Sequence, residues 1–425
     1  MSDLNRQDVA QLASAVAAGK LRAEAVVEAC LARAAERDGE VKAFAHLAGD
    51  AALAEARRLD KAGSTGPLHG IPVVVKDVID TAGMPTSYGS EIWKGHVPAL
   101  DAACVAQVKA AGGIVLGKTV TTEFALRTPG PTANPHNLAH TPGGSSQGTA
   151  AAVADFMAPL GFGTQTAGSV GRPAAYCGVV GYKPTYNLIN RAGLKFAAEN
   201  LDTIGVMGRS VPDVALLVGA LANATLGAFE AKASPPRIGF CRSPLWGKAE
   251  DYTHALLEQS AATLAKAGAK VVDLDLPAAC GDLVDAQATI CTYEIGRALA
   301  WEYAHHPKLM SDPLRERVGK GVAMKQDVYL AARKTQERCI AEAAGIWSDV
   351  DILLTPAAQG EAPKGLQATG DPMFSTIWTT LHLPCVVLPV AKGPTGLPLA
   401  VQVVGPRHAD AAMLTAAHWV HRALA

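Results

Sequence analysis

Two short segments rich in Gly, Ser and Thr stand out in this chain: TPGGSSQGT at 141–149 and GTQTAGSVGRP at 163–173. Ser169 follows Ser145 by 24 positions, and the apolar run Ala150 to Phe162 between the two segments has room for one helix and one strand. Such a passage carries the chain out and back, so both segments can lie at one edge of a sheet. Glycine permits backbone conformations and close approaches that other residues forbid, so N–H groups in these turns can converge on a developing oxyanion. A serine in such a turn becomes a nucleophile only when a base takes its proton. No histidine lies inside either segment; His136 and His140 stand just upstream, and Lys76 directly follows the apolar run Ile71 to Val75. A lysine at the end of a buried strand loses its charge by desolvation, which moves its pKa down from about 10.4 by as much as several units. Serine with a lysine base is an established variant of the Ser-His-Asp arrangement. Cys177, in the apolar stretch YCGVVGY, reads as packed core rather than as a competing thiol nucleophile.

These groups need a frame to hold them. From Val9 to about Leu47 apolar residues recur at helical spacing (Val9, Leu12, Val16, then Val26, Val27, Cys30, Leu31, Ala34), with Gly19 between two helices. The spacing predicts an N-terminal helical pair over about 7–47. Short β-branched runs then alternate with helical ones: Ile71 to Val75, a helix from Ala102 to Ala111, Ile114 to Leu116, and so on to Val153. Such alternation specifies an α/β fold, a sheet sandwiched by helices. Between about 231 and 344 the pattern is mostly helical, with strand candidates at Arg237 to Phe240 and Lys270 to Leu274. Strand signals return at Asp351 to Leu354, Val386 to Val390 and Leu399 to Val404, before a final helix from Asp410 to Leu424. Late strands can complete a sheet begun early, so the expectation is a single domain over 1–425 with one discontinuous core.

The segment GGIVLGKT (Gly112, Gly117, Lys118, Thr119) fits the phosphate-loop pattern GxxxxGK[ST] without mismatch. Its context contradicts that reading. A phosphate loop follows a strand, whereas Ile114, Val115 and Leu116 read as a buried strand themselves, entered from a helix that Gly112 and Gly113 end. The segment is expected to be a helix end, a strand and a turn without a nucleotide site.

Composition excludes several classes. Lys+Arg number 38 against 39 Asp+Glu, a net charge of −1, which offers nucleic acid or an anionic membrane no electrostatic attraction. Hydrophobic residues at 49% with charged residues at 18% describe a globular chain. The eight cysteines contain no CxxC pair, and His136, His140, His305 and His306 fit no zinc spacing, so neither a disulfide framework nor a metal site is expected. The longest apolar stretch, Val214 to Phe229, is interrupted by Asn223 and Thr225 and falls short of the roughly 20 residues of a membrane span. A soluble, reduced, cytoplasmic protein is the expectation.

GIPVVVKDVIDTAGMPTSYGS, TPGGSSQGTAAAVA and TQTAGSVGRPAAYCGVVGYKPT, in this order and at compatible spacing, resemble the amidase signature family over nearly the whole chain. Within it, TQTAGSVGRP, RALAWEYAHH (Arg297 to His306) and TGDPMFSTIWTTLHLPC (Thr369 to Cys385) most resemble the malonamidase type. The resemblance implies a large mixed central sheet covered by helices on both faces. It implies Ser169 as the acylated nucleophile, Ser145 as a bridging serine held by a cis peptide bond, and Lys76 as the base. The backbone N–H groups of Thr166, Ala167, Gly168 and Ser169 would form the oxyanion hole. Arg172, three residues after the nucleophile as in the malonamidase type, would grip a substrate carboxylate; an ion pair within the protein is the competing role. Two positions depart from the common pattern: Gln147 where a small residue is usual, and Ala167 where glycine is usual. Both still offer backbone donors.

The implied activity is hydrolysis of a small carboxamide, such as the short acidic amide malonamate, to carboxylate and ammonia without metal or organic cofactor. The implied partners are the small-molecule amide and a second copy in a homodimer. Alternatives are the glutaminase component of a tRNA-dependent amidotransferase and a carboxybiuret-type ureido-carboxylate hydrolase.

Overall fold

The computed structural model describes residues 3–227, 229 and 234–425. Eleven strands form one sheet among these residues: β1 (Phe44–Leu47), β2 (Pro72–Lys76), β3 (Ile114–Thr119), β4 (Leu160–Gln165), β5 (Val180–Lys183), β6 (Thr203–Gly208), β7 (Arg237–Phe240), β8 (Lys270–Asp273), β9 (Ile352–Pro356), β10 (Cys385–Lys392) and β11 (Pro398–Val404). Their spatial order is β1-β3-β2-β4-β6-β5-β10-β11-β9-β7-β8. β2 runs parallel to β3 and β4, and β7 parallel to β8 and β9, while the other pairs are antiparallel. Every residue of β2, β3, β4, β6, β9 and β11 is buried, which requires cover on both faces. The sheet is therefore mixed and helix-covered, as expected, and the late strands β9, β10 and β11 join it beside the early ones.

Two local expectations are corrected. Residues 44–47 are strand β1 rather than the end of a helix: the second N-terminal helix, Ala23–Val41, stops at Lys42 in the left-handed conformation, and the chain then pairs antiparallel with β3. The pairing decides this, since four residues of mixed burial carry no clear period of their own. Gly117, Lys118 and Thr119 belong to β3, not to a turn, because β2 and β1 pair with this stretch on either side. The two strands expected in the mostly helical segment are present as β7 and β8 at the sheet edge, and the segment's first residues, 231–233, lie outside the described residues. No helix among the described residues is long and apolar enough to cross a membrane.

The topology matters for the site. Because β2 and β4 are parallel neighbours, with Val75 opposite Phe162, Lys76 and the loop after β4 emerge at the same edge. The helix Gln147–Ala154 begins there and returns the chain to β4, so Ser145 and Ser146, which immediately precede it, lie at that edge too. Ligands of open α/β sheets bind at the carboxyl ends of such strands.

Candidate active site

Lys76 is the last residue of β2 and is completely buried. Its Nζ lies 2.7 Å from Ser145 Oγ and 2.7 Å from Thr164 Oγ1. Burial pushes its ammonium down from 10.5 to about 7; the charge of Asp202 opposes the shift and that of Arg172 adds to it. A neutral amine in this position can accept a proton from Ser145. The Gly144–Ser145 peptide is cis, as the resemblance implied. Ser146 reaches back to β4, its Oγ accepting from Thr164 N at 3.2 Å.

Ser169 sits in the loop between β4 and the helix Gly171–Cys177, and it is 8% exposed, on the wall of a cavity. No hydrogen bond joins the Ser145 and Ser169 hydroxyls among the described residues. The loop itself is fixed through its carbonyls. Thr166 O accepts from Gln287 Nε2, Ala167 O from Thr379 Oγ1, Gly168 O from Arg172 N and Ser169 O from Ser146 N. Gln165 Oε1 takes the next two N–H groups, those of Val170 and Gly171, at 2.9 Å each. Among the described residues the N–H groups of Thr166, Ala167, Gly168 and Ser169 then have no protein acceptor. Four unpaired donors on a rigid turn are what an oxyanion requires. Only glycine fits at 168, since a Cβ there would come 2.9 Å from Pro372 Cβ and 3.0 Å from its backbone.

Arg172 is buried, and its Nη2 donates to Gly144 O at 2.6 Å and to Thr369 Oγ1 at 3.1 Å. Its Nε and Nη1 are buried without a partner, and no carboxylate forms an ion pair with it among the described residues. The competing role of an internal ion pair is thus not what the geometry displays. Desolvation lowers even this guanidinium, to about 10. Arg172 and Ser169 line the same cavity, of about 680 Å³.

Reasoning from sequence missed the residues that hold these groups. Thr164, Gln165, Asp202, Gln287 and Thr379 come from β4, from a loop and from two distant helices. Asp202, fully buried, accepts from Thr166 Oγ1 and from the N–H groups of Ala197 and Ala198. The polar pair Thr164–Gln165 ending an otherwise apolar, glycine-containing strand is the one signal the sequence offered; the spacing of the others carries none.

The two departures from the common pattern and the remaining sequence candidates have clear places. Gln147 is buried, and its Oε1 accepts from Gly130 N at 3.2 Å, which tethers the segment beside the cavity. Ala167 supplies its backbone as a glycine would. Cys177 is fully buried, donates to Pro142 O, and burial pushes its thiol far up. His136, His140 and His305 donate to the carbonyls of Cys177, Ala362 and Trp301, and His306 packs on the Trp301 ring. Among the described residues no three His, Cys, Asp or Glu side chains form a metal-holding group. Lys118 lies inside β3, fully buried, 3.3 Å from Asp77 and donating to Ile79 O and Thr86 Oγ1. A side chain so enclosed is out of reach of a nucleotide's phosphates.

Comparison with known proteins agrees with the fold. The chain belongs to the amidase family, whose sequence profile matches residues 25–414. It is 30% identical over 478 aligned residues to a glutamyl-tRNA(Gln) amidotransferase subunit from Koribacter versatilis, with 100% of this chain and 99% of that one covered. Its fold is similar to that of a chain from a vestigial protein complex bearing on the origins of an s-triazine catabolic enzyme, with a TM-score of 0.89, 27% identity and 98% of each chain covered. It is also similar to the peptide amidase of Stenotrophomonas maltophilia, with a TM-score of 0.84, 30% identity, and 98% of this chain and 97% of that one covered. The chain is an enzyme that hydrolyses an amide C–N bond.

Proposed function

We propose that this amidase converts a small carboxamide bearing a carboxylate, of the size of malonamate, to the acid and ammonia through an acyl-enzyme on Ser169. One observation carries the substrate class: Arg172, a guanidinium with no carboxylate partner among the described residues and with Nε and Nη1 left without a hydrogen bond, lines the cavity that also holds Ser169. A guanidinium so placed holds a carboxylate by charge-assisted hydrogen bonds and turns the amide carbonyl toward the serine.

In this reading neutral Lys76 takes a proton from Ser145 as Ser145 takes one from Ser169, and Ser169 Oγ attacks the carbonyl carbon. The oxyanion settles among the free N–H groups at 166–169, each worth about 2.7–4 kcal/mol in comparable sites. The proton returns through Ser145 to the nitrogen, which departs as ammonia, because an amide anion is too basic to leave unprotonated. Water repeats the steps on the acyl-enzyme and frees Ser169.

A second reading is favoured by the sequence relatives named as amidotransferase subunits, namely hydrolysis of glutamine to feed a partner with ammonia. The cavity lining argues against it. Its charged side chains are Arg127, Arg172, Arg317 and Asp371, and an excess of cations repels the ammonium that glutamine carries beside its carboxylate. The neighbour linked to an s-triazine catabolic enzyme keeps a ureido-carboxylate such as carboxybiuret among the substrates to try. An ammonia-release screen across malonamate, glutamine, propionamide and carboxybiuret tests the reading. Preference for glutamine or propionamide over both acidic, ammonium-free substrates refutes it.

A further inference from the structure

The cavity is larger and more cationic than one short monocarboxylate amide requires. Besides Arg172, its wall carries Arg127, which is exposed, and Arg317, which is half-buried on the helix Asp312–Ala323. Neither makes a side-chain hydrogen bond or an ion pair among the described residues. Their neighbours do: Arg315 pairs with Asp312, and Glu316 with Lys320. Against three guanidinium groups the lining offers a single carboxylate, the exposed Asp371, which already accepts from Met373 N.

The two arginines stand on elements fastened to each other. Glu123 accepts from Ser311 N, the residue before the Arg317 helix, at 3.3 Å through both oxygens, and Thr128 Oγ1 meets Ser311 Oγ at 2.6 Å. Thr122 Oγ1 donates to Leu126 O at 2.7 Å, and Gln147 holds Gly130, so the backbone on both sides of Arg127 is tied down. Two like charges held on a fixed wall repel each other, and an anion between them turns that repulsion into attraction.

We propose that Arg127 and Arg317 form a second anion-binding pair at the mouth of the cavity, so that the preferred substrate is an amide carrying two carboxylates. One carboxylate would meet Arg172 beside Ser169; the other would meet the outer pair. The inference deepens the proposed function and rests on its assignment of Arg172. The second carboxylate can sit on the acyl part or on the leaving amine, and two probes separate these cases. The monoamide of propane-1,2,3-tricarboxylic acid carries it on the acyl part and releases ammonia. N-malonylglycine carries it on the amine: addition of water breaks the C–N bond and gives malonate and glycine.

The test compares kcat/KM of both probes with that of malonamate in the full chain and in Arg127→Gln and Arg317→Gln. Calorimetry adds the Kd of propane-1,2,3-tricarboxylate relative to glutarate. At least one dianionic probe should surpass malonamate. Each variant should lower the dianionic-to-monoanionic ratio about tenfold, and Arg127→Lys should retain part of it. If tricarboxylate binds in preference to glutarate through both arginines while no acidic amide is hydrolysed, the outer site stands and the proposed activity falls. If malonamate is hydrolysed but neither probe nor the tricarboxylate is preferred, or if the variants lower all substrates equally, the second site is refuted.

Discussion

Replacing Lys76 by methionine should make the fold's stability less dependent on pH while removing activity. Lys76 takes up its proton near 10.5 in the unfolded chain and near 7 in the buried site. Between those values the unfolded state binds more protons, so this group's contribution makes stability rise with pH: the handicap is complete below about 7 and gone above about 10.5. At about 1.4 kcal/mol per unit, the handicap is about 4 kcal/mol at pH 7 and about 1.5 kcal/mol at pH 9.5. Lys76→Met keeps most of the stem and abolishes the titration. It also leaves the hydroxyls of Ser145 and Thr164 without their shared partner, a cost of about 1–3 kcal/mol each that does not vary with pH in this range. The sign of the net change at pH 7 therefore depends on packing, but its pH dependence does not. Urea unfolding of both proteins at pH 7 and pH 9.5 should show the variant's stability relative to wild type falling by about 2.5 kcal/mol between the two. In wild type, kcat/KM should rise with pH through about 7 as the amine becomes neutral. A stability difference that is constant or increases with pH would mean that Lys76 enters the folded protein charged, and the base assignment would fail with it.

Ser169→Ala should remove acyl-enzyme formation and leave the fold intact, because the side chain stands on a cavity wall; a fluorophosphonate probe should label Ser169 in wild type, and labelling at buried Cys177 instead would end the serine assignment. Arg172→Lys should lower kcat/KM for malonamate and Arg172→Ala should lower it further, with propionamide much less affected; equal losses on both substrates would make Arg172 structural. Lys118→Ala should bind no ATP in calorimetry, as wild type binds none. It should also cost about 3–5 kcal/mol in stability by leaving Asp77 buried without its cation, and unchanged urea unfolding would contradict that pairing.

The proposed chemistry rests on local patterns. Two glycine-rich turns flanking one helix and one strand, and a lysine ending an apolar run, are contiguous, so Ser145, Ser169 and Lys76 stood out as candidates, and the family resemblance gave each its proposed role, before any fold was known. The α/β class and the return of late strands to an early sheet followed from periodicity in the same way. Short segments were less legible: Phe44–Leu47 is a strand only because β3 lies beside it, and Lys118 is interior only because β1 and β2 close over its strand. The supporting groups were not legible either. Asp202, Gln287 and Thr379 reach the catalytic edge from positions 33 to 210 residues beyond Ser169, and Arg127 and Arg317 share a wall although 190 residues separate them. Residue type and spacing reveal what a side chain can do within its own turn or strand. Which distant partners remain in reach, and which guanidinium is left without a carboxylate, depends on chain crossings that bring remote segments within a few ångströms, and only the tertiary structure fixes those.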